Sequence, residues 1–299
     1  WMKDRGASKV ESFSEKNVGL NLTVFEASTP IREFLSDKHD EFLKFGNSDN
    51  PYLDTEENGF SIGYTQQITP GLKYSIGLEQ PMLVSDDTVK GENNNVSSLF
   101  ESNYEKSNYQ FIIGRSIEKD KFLGSEANGA FKMNNLVTDN DFFGFKSENI
   151  IGDSLYLKSS YTISKSKLNY SYSPLIGNTS NIISDNYEFS VSKTFKDIGL
   201  KTVFSINQPN RVSKGTMIIK QPNLINSGTV NYTPKELTLV PNGRQLNAGL
   251  GFQKDFDKNT KLISKISFID QYNHNKNSDN EFGFTILGKY KNFKLGYGY

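Results

Sequence analysis

The chain has 299 residues, with 34 lysines and arginines set against 34 aspartates and glutamates, so its formal net charge is zero. That balance provides no long-range field to hold a polyanion and argues against a nucleic-acid partner. With no cysteine and only two histidines, His39 and His274, disulfide scaffolds, thiolate zinc sites and histidine-rich metal centres are excluded, and neither a metal nor a cofactor is expected.

Only 35% of residues are hydrophobic and mean hydropathy is -0.56, yet 13% are aromatic. No window approaches the roughly 18 to 20 consecutive apolar residues of a membrane helix. A transmembrane β-barrel needs only every second residue to be apolar, and low hydropathy combined with many aromatics fits that requirement. The chain opens on Trp1 without a charged and then apolar leader, so a signal peptide is expected upstream or already removed.

The first 17 residues show no alternation and read as a linker or a leader inside a barrel, and residues 18–299 read as one barrel domain. The first strand is expected from about Val18 to Glu26. A short helix follows near residues 30–45, inside a long connection. Thr29 stands at its N-cap, Pro30 at its first position and Gly46 after its last apolar residue, with Ile31, Phe34 and Leu35 on one side.

From about Gly59 the strand period dominates. Phe60, Ile62 and Tyr64 alternate with Ser61, Gly63 and Thr65, and Leu72, Tyr74, Ile76 and Leu78 alternate with Lys73, Ser75, Gly77 and Glu79. Similar runs start at Leu155, Leu168, Tyr187, Ile198 and Leu246. The last two place Phe282, Phe284 and Ile286, then Phe293, Leu295, Tyr297 and Tyr299, on one side. Thr69-Pro70-Gly71, Ser164-Lys165-Ser166, Lys196-Asp197 and Asp255 to Asn259 read as tight turns. Ser85 to Asn95, Gly177 to Asn186 and Asn273 to Asn280 read as long polar connections.

The expected fold is therefore all-β: an antiparallel transmembrane barrel of about 12 strands, within a range of 10 to 14, in the outer membrane of a Gram-negative bacterium. Leu72, Tyr74, Ile76, Leu78, Phe282, Phe284, Leu295 and Tyr297 are expected to face lipid. Lys73, Glu79 and Lys158 lie on the opposite, polar side, which is rich in Gly, Ser, Thr and Asn, and are expected to line the pore. A soluble sandwich would turn longer charged side chains to bulk water on that side. It stands as the alternative of a different class, a binding module.

From Ser205 to about Phe293, Gln208-Pro209-Asn210-Arg211-Val212-Ser213-Lys214-Gly215, Val240-Pro241-Asn242-Gly243-Arg244-Gln245-Leu246-Asn247 and then His274 occur in that order. This stretch resembles the C-terminal autotransporter-like domain of alphaproteobacterial subtilisin-like serine peptidases. There a Q-P-x-R-V-x-x-G segment, a P-x-G-R-E segment and a late His recur. Gln245 replaces the usual Glu, and the chain runs a few residues past the usual terminal aromatic. The resemblance implies a translocator and anchor that passes or tethers an N-terminal peptidase passenger, with any peptidase activity outside these residues. Tyr299 agrees with the terminal aromatic read by the barrel-insertion machinery.

Gln208, Arg211 and Arg244 are expected either to line the pore, the arginines gripping carboxylates or a threaded linker, or to be structural residues at turns. His274 reads as a loop residue. No enzymatic constellation emerges: Asp86, Asp87 and His274 make an unconvincing protease couple, and Asp54, Glu56, Glu57, Asp139 and Asp141 lack the ligand spacing of a Ca²⁺ loop. A standalone porin-like channel or adhesin without a passenger is the alternative within the barrel class.

Overall fold

A computed structural model describes residues 10–15, 20–26, 59–81, 94–122, 129–223, 230–257, 259–290 and 293–298. Fourteen strands form one antiparallel meander, each paired with the next. They are β1 (Val10–Glu15), β2 (Leu20–Glu26), β3 (Gly59–Thr69), β4 (Leu72–Pro81), β5 (Asn94–Tyr104), β6 (Ser107–Lys119), β7 (Val137–Ile151), β8 (Leu155–Asn169), β10 (Ile182–Phe195), β11 (Leu200–Lys214), β14 (Leu246–Asp255), β15 (Thr260–Asp270), β16 (Glu281–Tyr290) and β17 (Phe293–Gly298). The remaining strands, β9 (Ile176–Thr179), β12 (Thr216–Asn223) and β13 (Asn231–Thr238), make a separate small sheet. Among the described residues the only helices are short 3₁₀ turns, and no ladder joins β1 to β17. The helix expected near residues 30–45 lies outside the described residues.

Burial is inverted relative to a soluble sheet. Ile113, Phe111, Phe143, Phe189, Phe204 and Leu250 are exposed, Ile113 at 57%, while serines on the opposite face of the sheet, Ser116, Ser164, Ser184, Ser190 and Ser205, are buried. Ser166 and Ser205 retain none of their accessible surface. Small hydroxyl side chains cover the inner face because bulkier ones would not fit a strongly curved sheet, and β-branched and aromatic residues are left pointing outward.

The outward apolar band has an edge. On β8 it runs from Leu155 to Ile163, about 26 Å along the strand before tilt, comparable to the roughly 25 Å apolar belt of an outer-membrane barrel. Lys165 and Lys167 follow on the same face. Register places Arg115, Asp141 and Lys165 side by side, with Asp139 beside Lys167. Arg115 donates to Asp139 at 2.9 Å and lies 3.9 Å from Asp141.

Among the described residues, short and long connections lie at opposite ends of the strands. Pro70-Gly71, Glu105-Lys106, Gly152 to Ser154, Lys196 to Gly199 and 256–259 are short and lie at one end. Residues 120–136, 170–181, 215–245 and 271–280 are long and lie at the other, as do Val10 and Gly298. Gly199, at φ 58°, closes the turn after β10 in the left-handed region that glycine enters without strain. At the long-connection end Met133, Leu136, Leu168, Ile176 and Ile182 form a small buried apolar cluster with Val212 and Met217 packed against it, which seats the small sheet on the wall.

Two expectations need correction. Residues 10–15 of the supposed leader form β1, in which Glu11, Phe13 and Glu15 pair with Val24, Leu22 and Leu20. Two glutamates on the apolar side had hidden the alternation. Ser164-Lys165-Ser166 is no turn: it lies inside β8, where the serines are small inward residues. Thr216–Asn223 and Asn231–Thr238, as β12 and β13, lie in the small sheet and add nothing to the wall. The wall then has 14 strands, the upper limit of the expected range.

Candidate functional site: the polar wall face and a clasp at its rim

Lys73, Glu101, Gln110, Lys146, Ser160, Glu188, Asn207 and Asn247 are direct register partners in sequence across β4 to β14, forming one polar row straight across the strands. Ion pairs cluster in and beside this row: Lys73 to Glu101 at 3.7 Å, Lys146 to Glu148 at 3.0 Å and Lys158 to Glu188 at 3.7 Å. The Glu188 side chain is 1% exposed and its oxygens accept no hydrogen bond among the described residues. Lys158 is therefore the charge that compensates it, and removing that ammonium would leave a carboxylate buried alone. Lys73 and Lys158 thus stand on the inward face. The side chain of Glu79 and the residue Tyr299 lie outside what is described.

Leu72, Tyr74, Ile76, Leu78, Phe282, Phe284, Leu295 and Tyr297 lie together on the opposite, apolar face; Phe282 is 67% exposed and Leu295 and Tyr297 each 69%. Tyr74 stacks on Phe100 with ring centroids 4.8 Å apart, and Phe111 on Phe145 at 4.9 Å. Cross-strand aromatic pairs of this kind fix register on a face against which no described residue forms a second layer.

The residues from the three C-terminal motif segments converge at the long-connection end. Arg211 donates through Nε to the Gly243 carbonyl at 3.0 Å and through a terminal nitrogen to the Pro241 carbonyl at 3.3 Å. The Gln245 amide donates to His274 Nδ1 at 2.9 Å, and His274 Nε2 lies 3.1 Å from the Asn210 carbonyl. An imidazole that accepts at Nδ1 is neutral and carries its proton on Nε2, so His274 donates to Asn210. The Gly243 amide donates to the His274 carbonyl at 2.8 Å, the Asn273 amide to Gln245 Oε1 at 2.8 Å and the Arg244 amide to Gln271 Oε1 at 2.8 Å. Gln271, Asn273 and His274 all have φ between 53° and 57°, so hydrogen bonds hold this turn in a conformation that non-glycine residues disfavour.

This clasp ties the end of β11 to both later long connections. Gly243 is obligatory in it: a Cβ there would come within 2.5 Å of Gln271 Oε1 and 2.6 Å of the Lys276 amide nitrogen. Among the described residues Arg211 holds backbone carbonyls and pairs with no carboxylate, the structural one of the two roles expected for it. Gln208 is buried and donates to Asp185, at both its carbonyl and its carboxylate. The Arg244 residue is exposed and contributes its backbone amide. His274 is a bridge between connections and not a free loop residue. Sequence reasoning missed Glu101 and Glu188, whose pairing depends on register between different strands, and Lys146 and Glu148, which pair two residues apart on one face of β7. Among the described residues no group of acidic or histidine side chains could hold a metal.

No family model and no curated protein matches this sequence. Among solved structures, a porin refined at 1.8 Å resolution matches over 95% of this chain and 79% of its own, with a TM-score of 0.50 and 10% identity. Likeness at that identity concerns the fold alone. Together with the inverted burial and the unbroken meander, it gives this chain the porin-like, all-β fold of an antiparallel transmembrane barrel.

Proposed function

We propose that the chain is an outer-membrane β-barrel of a Gram-negative bacterium and that its polar inner face forms a conduit for hydrophilic solutes. The observation that carries this reading is the outward apolar band, which ends at a row of charged residues and, among the described residues, has no protein layer packed against it. In water such a band would drive association, whereas in hydrocarbon it is matched. The row from Lys73 to Asn247 would face the conduit, with its paired charges fixing polarity without excess charge of either sign. Two measurements test the reading. The folded protein should migrate differently from its boiled form after extraction from outer membranes, and it should give stepwise conductance in planar lipid bilayers. Monodisperse behaviour without detergent would overturn the membrane reading, and a folded barrel that never conducts would overturn the conduit.

A second reading, in which the barrel anchors and passes an N-terminal passenger of the subtilisin-like peptidase type, is favoured by one observation. The three segments that carry the resemblance build a single clasp, which gives a physical reason for residues so far apart to recur together. A reporter fused before Trp1 and produced with the chain should become accessible to protease added to intact cells. A reporter that stays protected counts against translocation and leaves the conduit as the function.

A further inference from the structure

The charged row at the long-connection end of the outer wall is uneven in how its cations are used. Arg115 is committed to Asp139 and Asp141. Those carboxylates are the cross-strand neighbours of Lys167 and Lys165. Lys165 and Lys167 are both exposed, stand two residues apart on one face of β8, and make no ion pair among the described residues. Two residues of strand separate their Cα atoms by about 6.6 Å, so both flexible ammonium groups can converge on one tetrahedral anion. At the short-turn end the outward cations are used differently: Lys193 lies 4.9 Å from the Phe195 ring centroid and Lys254 lies 6.0 Å from that of Phe256.

Tyr161 and Ile163 immediately precede this pair on the same outward face and are exposed. The two uncommitted ammonium groups therefore sit where an apolar band gives way to polar surface, the height at which lipid phosphates lie. We propose that Lys165 and Lys167 form a headgroup site for the phosphate of an anionic lipid in the leaflet at the long-connection end. This rests on the membrane reading above. Arg115 is a positioning residue, since its ion pairs with Asp139 and Asp141 offset their charge and keep the site cationic.

The test uses the whole protein in phosphatidylcholine nanodiscs, prepared with or without a phosphate-bearing glycolipid such as lipopolysaccharide, with co-purifying lipid counted by native mass spectrometry. Wild-type protein should retain the glycolipid, and Lys165→Gln with Lys167→Gln should cut retention by roughly tenfold or more, the order expected for two ammonium groups near a charged surface. Lys193→Gln with Lys254→Gln, at the opposite end, should leave retention unchanged. Equal retention by the Lys165/Lys167 variant and wild type overturns the site. So does retention that falls equally in both double variants, because that is non-specific charge attraction. Retention of phosphatidylglycerol that is lost in the Lys165/Lys167 variant shows that any lipid phosphate suffices and supports the site, whereas phosphatidylglycerol retained equally by that variant and wild type overturns it. Heat-modifiable migration of every variant in phosphatidylcholine alone reports whether the barrel has formed, so failure of the membrane reading is distinguishable from failure of the site.

Discussion

His274 shows how much one side chain can hold together. Burial keeps its imidazole below the ordinary value of 6.5; the charges of Arg211 and Arg244 push the same way, and the Asn210 carbonyl and Asp185 push against them. A proton therefore enters the opened connection before it enters the closed clasp. The contribution of the clasp is complete above about pH 6.5 and falls as the pH drops below it. Hydrogen exchange at the Gln245 amide, corrected for intrinsic chemistry, should accelerate in acid in the wild type. It should be insensitive to pH in His274→Asn, where a neutral amide oxygen replaces Nδ1. Arg211→Ala removes two bonds to carbonyls and should lower stability to urea in lipid vesicles by about 1–3 kcal/mol. Arg211→Lys should recover only part of this, because an ammonium lacks the planar fork that spans two acceptors. The motif segments were legible as unusual spacings in the sequence. Their joint purpose was not, because Asn210, Gln245 and His274 meet only through the register of β11, β14 and β15.

At the scale of the strand, alternation with period two determines which side chain meets lipid and which meets the interior. Leu250 is the midpoint of β14, flanked across the ladder by Phe204 and Ile266. Leu250→Arg should cost about 2–4 kcal/mol in vesicles, the cost of a cation at the bilayer midplane. Thr285→Asn, on the inward face of β16, should stay within about 0.5 kcal/mol. Similar costs for the two would place both faces in one environment and sink the assignment. The apolar alternation of β2, β3, β4, β10, β14, β16 and β17 is plain in the sequence. β1 escaped because glutamates interrupt its apolar side. β8 was split at Ser164 to Ser166 because small polar residues mark turns in soluble proteins but mark the crowded inside of a curved wall here.

Across the whole molecule, the two ends differ in the lengths of their connections, and the inner face carries paired charges where a soluble sheet would be open to water. Lys158→Gln strands the buried Glu188 carboxylate. It should destabilise the barrel by about 3–5 kcal/mol and, if the conduit reading holds, shift the reversal potential in a salt gradient toward cation selectivity. A reversal potential unchanged from wild type would remove Lys158 and Glu188 from the conducting path.

The sequence by itself determined the strand period, the polar character of one face and the apolar character of the other, since each depends only on residues i and i+2. Tertiary structure decided what neighbouring residues cannot encode. It brought Lys73, Lys146 and Glu188 into one row, closed Arg211 and His274 around Gly243 and Gln245, and left Lys165 and Lys167 uncommitted on the outer wall. The reason is that strand register and loop docking are set by the sum of many cross-strand contacts, and no local stretch of chain carries that sum.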